Sequence, residues 1–408
     1  MVSARLKLFL SCIAICFAAA TSCAAGANDS PLLLSWPRLK EYPAPFWLRE
    51  GVKITYYSSA ASIPDTRHLY YKDDTGGWVD AQGTRYRREE TSGSGGHGYT
   101  EVTVAGLDGS GVALDIRSLG ITNVNGPIRA IGSFAAVGRP ATTGDWWMHP
   151  DFLATISDGE TDGISVRRMP YTVRGVTYDA IRFQYDRPDA KRASVYDLAT
   201  GILLYAGTAA SGALSGSVTR DLGRGTQGIL SQSTFVGYRE LSFPWANDPP
   251  PAWVRTLRSV SFEGSEAVIL PGSPVFPFAV SSVFRVSARG DRWVRYTASD
   301  TVASVPGLPP RVSEADRISG AAQFGGIWIP PAALARLRQG QLLDTDPITG
   351  SRITVAAVDA STVTLQEQAS GFTIDLRYDR STGAMTDLRL NDRTLNQIVE
   401  MRRTRQDP

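Results

Sequence analysis

The sequence predicts a mainly β protein with a minor helical part: two tandem homologous repeats, each an antiparallel β-meander with one short helix. Three observations carry that prediction. Residues 147–159, WMHPDFLATISDG, and residues 328–340, WIPPAALARLRQG, keep Trp, Pro, Leu, Ala and Gly in step at a constant spacing of 181. Residues 353–390 alternate apolar with polar side chains in short runs split by turn residues, the pattern of an antiparallel sheet with one dry face. The first copy aligns with that stretch at a spacing of 182, down to a shared Y-D-x-x-T-G at residues 196–201 and 378–383.

Taken in order, residues 1–22 form an export signal, with Arg5 and Lys7 ahead of an apolar run that is too short for a convincing membrane span. Ala20-Thr21-Ser22-Cys23 resembles a bacterial lipoprotein signal, which implies that Cys23 is the lipidated first residue of the mature chain. Ala stands three before the Cys, where such signals carry Leu, and Ala25-Gly26-Ala27 offers plain cleavage near residue 27 as the alternative. A lipid anchor implies attachment to a membrane, and Ala24 behind the Cys favours the outer one.

Residues 23–45, polar and then proline-punctuated, read as a tether. The first repeat follows over 46–247 and the second over 252–405, divided by the run Asp248-Pro249-Pro250-Pro251; each opens on a matching segment, with Trp47 and Arg49 answered by Trp253 and Arg255. The first copy adds Gly/Ser-rich stretches at 92–98 and 207–228, which read as mobile loops. Hairpins are expected to turn near Asp108-Gly109 and Gly290-Asp291. In each Trp motif a Pro at the first helical position and a Gly behind predict a helix of about two to three turns, which must lie on the sheet that follows. The Asp of Y-D-x-x-T-G can fold onto backbone amides, and its Gly takes positive φ. Two such repeats make either two similar domains or one pseudo-twofold body with a shared face.

A net charge of +2, from 42 basic and 40 acidic residues, excludes bulk attraction for nucleic acid. All three cysteines, Cys12, Cys16 and Cys23, lie in the signal region, which leaves the body without disulfides or thiolate sites. The sequence calls for no cofactor: nucleophile elbow, zinc-protease and phosphate-loop motifs are absent from it. Residues 158–163, DGETDG, match the first half of a calcium loop through Asp158, Glu160 and Asp162, but Met169 stands where a bidentate Glu is needed. The sharpest asymmetry between the copies is Trp146, Trp147, His149 and Asp151, a cluster able to stack on and hydrogen-bond a ligand; Pro330 and Ala332 replace His149 and Asp151 in copy two. A helix-capping role explains the same two residues.

The functional expectation is an exported bacterial envelope protein, periplasmic or at the cell surface, acting as a binding, carrier or scaffold lipoprotein. Its partner would be a lipid, another apolar ligand or an envelope protein. In outline it resembles the periplasmic carriers that shuttle lipids or lipoproteins, which implies an apolar cavity between sheet and helix. A hydrolase built on His149 and Asp151 and a surface assembly protein using its extra loops are the alternatives.

Overall fold

Val52, Ile54 and Tyr56 are buried on one face of the first long strand and alternate with Lys53 and Thr55, and the same period of two recurs through both repeats. The computed structural model describes residue 32 and residues 35–407 except 65–70, 73–77, 80–84, 87–94, 110, 122–125, 144, 187–189, 213–226, 270–275 and 304–309.

Repeat one runs β1 (Val52–Pro64), a small sheet of β2 (Tyr71–Lys72), β3 (Trp78–Val79) and β4 (Arg85–Tyr86), then β5 (Gly95–Asp108), β6 (Gly111–Ile121), β7 (Ile128–Gly138), helix α1 (Pro150–Thr155), β8 (Gly159–Thr161), β9 (Ile164–Val173), β10 (Val176–Asp186), β11 (Ala190–Asp197), β12 (Leu203–Gly212) and β13 (Gln227–Glu240). The ten long and outer strands form one antiparallel sheet in the order β7-β6-β5-β1-β13-β12-β11-β10-β9-β8. The first strand therefore pairs with the last, and only β7 and β8 lack a hydrogen-bonded neighbour on one side. Ile54, Leu114, Phe183 and Leu204, from β1, β6, β10 and β12, share one core cluster, so the sheet curls around it as a barrel open along one seam.

Repeat two repeats the plan with β14 (Ser259–Val268), β15 (Phe276–Arg289), β16 (Trp293–Val302), β17 (Arg311–Gly320), α2 (Pro331–Leu334), β18 (Leu342–Thr345), β19 (Arg352–Val358), β20 (Thr362–Gln368), β21 (Phe372–Asp379), β22 (Met385–Asp392) and β23 (Gln397–Asp407). Its order, β17-β16-β15-β14-β23-β22-β21-β20-β19-β18, is the same permutation, around its own core.

The Trp motif is the crossover that seals one end of each barrel. Met148 N donates to Gly201 O at 2.9 Å and Leu203 N to Trp146 O at 3.0 Å; in the twin, Ile329 N donates to Gly383 O and Met385 N to Ile327 O. Asp197 and Asp379 fold onto the amides two and three residues ahead, and Gly201 and Gly383 both take φ of 75°. Trp47 Nε1 donates to Thr200 O and Trp253 Nε1 to Thr382 O, so the two conserved features of each repeat touch each other. The helices are shorter than expected, six and four residues. Arg168 explains the early stop of α1, because its guanidinium takes the carbonyls of Leu153, Ala154 and Ile156, and Gly159 opens β8 instead of ending the helix.

Three boundaries drawn from composition shift. The described part of the expected tether is packed: Trp36 meets Phe183 edge-on at 5.3 Å, Leu39 on the 3-10 turn Pro37–Glu41 is fully buried, and Tyr42 lies on Phe152. Its spaced apolar side chains lie over the inner surface near β9 and β10, where burial outweighs the extended bias of the prolines. Residues 95–98, 207–212 and 227–228 belong to β5, β12 and β13, because Gly and Ser here face a pairing strand; the rest of both stretches lies outside the described residues.

The repeats share a face without twofold symmetry. The outer face of β1, β5 and β6 carries Lys53, Glu101, Asp115 and Arg117, all largely buried. Arg117 donates to both oxygens of Glu367 at 3.1 and 2.8 Å, Lys53 lies 2.5 Å from Glu101 and 2.6 Å from Asp346, and Arg239 holds Asp344 and Asp346. Apolar contacts flank these charges: Trp293 and Ile318 on Ala105 and Ala113, and Ala369 and Phe372 on Leu119 and Ile128. Gly106 is needed there, since a Cβ would lie 2.4 Å from the Trp293 ring. The strand registers put Ser259, Val283 and Ser299 of repeat two where repeat one has Lys53, Glu101 and Arg117. One outer face therefore docks on a different surface of the other copy.

Candidate functional site

The four residues singled out by the sequence do come together, as core and helix cap. Trp147 is fully buried, edge-on to Trp47, and donates Nε1 to Pro140 O. Trp146 stacks obliquely on Tyr56, whose hydroxyl donates to Trp146 O. His149 is the N-cap of α1: its Nδ1 accepts from Asp151 N at 3.2 Å, and its ring lies on Tyr42. Asp151 is 84% exposed with its carboxylate 3.9 Å from that nitrogen, which leaves the pair in a cap and not in a cleft. Burial lowers the His149 pKa, against the pull of Asp151. The space between sheet and helix, where a carrier cavity is expected, is filled by Trp147, Phe152 and Leu153.

The calcium-loop match is a β-hairpin. Asp162 and Gly163, with φ of 52° and 74°, turn β8 into β9; Glu160 sits on an exposed strand opposite Ser165, and Asp158 accepts from Arg168 N. Among the described residues no group of three His, Cys, Asp or Glu is arranged to hold a metal ion. Cys23 lies outside the described residues.

The hollow that the fold leaves lies at the other end of barrel one. The crossover seals the end near Tyr56, and beyond it the inward positions of β1, β5, β6, β12 and β13 carry Ser58, Ala60, Gly98, Thr100, Ser118, Ala206, Thr208, Ser231 and Ser233. They line a narrow cup of about 560 Å³, counting the solvent at its mouth. Such a space suits a slender chain or a few waters and not a fused ring system. The Ser58 hydroxyl bonds both Thr100 Oγ1 and Ser233 Oγ at 2.9 Å, a ladder across three strands that satisfies these wall groups without a ligand.

Matching registers make the comparison between copies direct, because Tyr56 and Phe262 both follow the bulge that pairs the first strand with the last. Repeat two then carries Glu266 at the place of Ala60, Val280 at Gly98, Asp300 at Ser118, Leu388 at Ala206, Leu390 at Thr208, Val399 at Ser231 and Met401 at Ser233. Only Gly264 for Ser58 and Ser282 for Thr100 go the other way among these positions. The mouth lined by small side chains in one barrel carries bulkier, half-buried ones in the other. Farther round the wall, Arg192 and Ser194 stand where repeat two has Ile374 and Leu376, and Arg192 is paired at 2.8 Å with Asp145, whose backbone is left-handed at φ 60°. Tyr196 donates to Asp145 O as Tyr378 does to Gly326 O, so Asp145 is an acidic side chain at a glycine position.

Sequence reasoning missed the cup because its small side chains carry no hydrophobic alternation, and Gly98 and Thr208 among them fall in the Gly/Ser-rich stretches that read as loops. The signal present was small residues at every second position of β1, β5 and β13, which becomes legible only once the register is known.

These features define a duplicated antiparallel β-barrel protein with one hollow and one filled mouth. No protein-family model matches the chain, and no curated protein matches it. Among solved structures the chain is similar to a protein of unknown function from the DUF3598 family of Nostoc punctiforme, at 11% identity over 87% of this chain and 96% of that one. The TM-score of that match is 0.14.

Proposed function

We propose that this chain is an exported envelope binding protein that holds a slender, weakly polar ligand such as a lipid chain end in the mouth of barrel one, with barrel two as a fixed scaffold. The observation that supports it is the replacement of Ala206, Thr208, Ser231 and Ser233 by Leu388, Leu390, Val399 and Met401 in the same fold. A duplicated barrel that needed only to be stable would keep bulky residues in both mouths, as each extra buried methylene is worth ~0.8 kcal/mol. Barrel mouths are recurrent ligand sites for the same reason that makes this one open: inward positions of small barrels are otherwise filled by side chains. The signal-like residues 1–22 and Cys23 support export and lipid anchorage at the outer membrane. Catalysis by His149 and Asp151 draws no support from a capped imidazole beside an exposed carboxylate.

Native mass spectrometry of the purified protein tests the reading. A lipid adduct is expected on the wild-type chain and lost on Ala206→Leu with Ser231→Val. A clean wild-type spectrum, or an adduct unchanged by the filling substitutions, contradicts it.

A further inference from the structure

A second concave surface lies where the repeats join, between the Asp108 hairpin tip, the proline linker and the hairpin 289–294, and it holds about 1660 Å³, counting the solvent at its mouth. Arg255, Arg289 and Arg292 line it, with Trp293 buried beside them. Arg289 donates Nη1 to Arg255 O and Nη2 to Leu257 O at 2.8 Å, so its guanidinium is held by carbonyls and has no carboxylate partner among the described residues. Arg292 likewise donates to Ala246 O and lies 3.1 Å from Glu50. Arg255 is exposed and makes no ion pair among the described residues. The acidic groups on the rim are Asp108, which accepts from Asp291 N at 2.8 Å, and Asp291 itself.

Comparison with the first copy isolates what is special. Arg49, the twin of Arg255, is neutralised by Glu240 at 2.5 Å. Arg289 stands where the first copy has Leu107, by the register of the two hairpins. Repeat two has thus gained one guanidinium beside Arg255, at a junction where ligand clefts concentrate. A guanidinium pinned through one edge presents its remaining donors in a fixed fork, the geometry that suits carboxylate and phosphate oxygens.

From this we infer that the junction crevice is a binding site for a small multivalent anion bearing phosphate or carboxylate groups, held by Arg255 and Arg289 and flanked by Arg292. The site is independent of the barrel mouth. Calorimetric titration of the full chain with pyrophosphate, and separately with citrate, tests it and tells the two anion types apart. Saturable binding that weakens with added salt is expected for at least one of the two. Arg289→Leu, which restores the residue of the first copy, and Arg255→Gln, which breaks no hydrogen bond in the fold, should each weaken binding about tenfold or more. Arg49→Gln, at the neutralised twin, should leave it unchanged. Absence of saturable heat with both anions, or binding that survives Arg255→Gln, overturns the assignment; Arg255→Gln keeps the test decisive if Arg289→Leu fails to fold.

Discussion

Lys53 of the first repeat and Asp346 of the second meet at 2.6 Å with side chains 7% and 0% exposed, which makes the joint between the repeats an ion pair taken out of water. Burial opposes ionisation of Asp346, yet the Lys53 ammonium and the amides of Thr349 and Ile348 hold its pKa well below the usual carboxylate value. Because the folded pKa is depressed, the stabilisation is present above the ordinary value of 3.8 and is lost as pH falls through that region. Lys53→Met removes the cation shared by the buried carboxylates of Asp346 and Glu101, leaving Arg239 and Arg117 alone to balance them, and should cost about 3 kcal/mol in urea unfolding at pH 7. Lys53→Met with Asp346→Leu should recover much of that loss. A double variant no more stable than the single would contradict the pairing.

Asp115 shows the opposite sign. Burial pushes its pKa up to about 6, while Arg117 and Arg317 pull it down and Glu101 and Glu367 push it further up. With a folded pKa above the unfolded one, its contribution is fully favourable below about 3.8 and is lost as pH rises through about 6. Asp115→Asn should therefore stabilise the protein by about 1 to 3 kcal/mol at pH 7.5, with the gain vanishing near pH 4. Thermal melts at the two pH values check this, and an equal effect at both would refute the assignment.

His149 should act on stability through the helix and not through turnover. Replacing the cap by Ala is expected to cost about 1 kcal/mol. Its imidazole is lowered from 6.5 by burial, so the stabilisation is present above that pH and is lost as the solution is acidified below it. His149→Ala should flatten the wild-type decline between pH 7 and 5. An unchanged decline would show that another group sets it.

Much of the architecture was legible because its signals are local. Asp379, Thr382 and Gly383 fix their own turn within a few residues, and the separation of Trp328 from Gly383 recurs in the first copy, one residue shorter, as Trp147 to Gly201. The strand alternation of residues 353–390 reads directly as β19 to β22. What stayed hidden depends on distant pairing. Tyr56 finds Phe235 across the β1 to β13 closure, and composition carries no trace of that register. Glu367 follows Val363 and Leu365 on the inner face of β20, where alternation alone predicts an apolar residue, because its counter-ion Arg117 arrives from the other repeat. Trp146 and His149 belong to the sealed end of the barrel, while Ser58 and Ser233 line the open one.

The central claim is that barrel one carries a hollow mouth kept open for a ligand while barrel two is filled. It is tested most directly by the melting temperature of Ala206→Leu with Ser231→Val beside the wild type, each measured as purified and again after delipidation. The filled variant is expected to melt above the delipidated wild type, since the added methylenes are partly withdrawn from water as they are at the half-buried Leu388 and Val399, and delipidation should lower the melting temperature of the wild type alone. A filled variant that melts below the delipidated wild type, or a wild type indifferent to delipidation, would contradict the account.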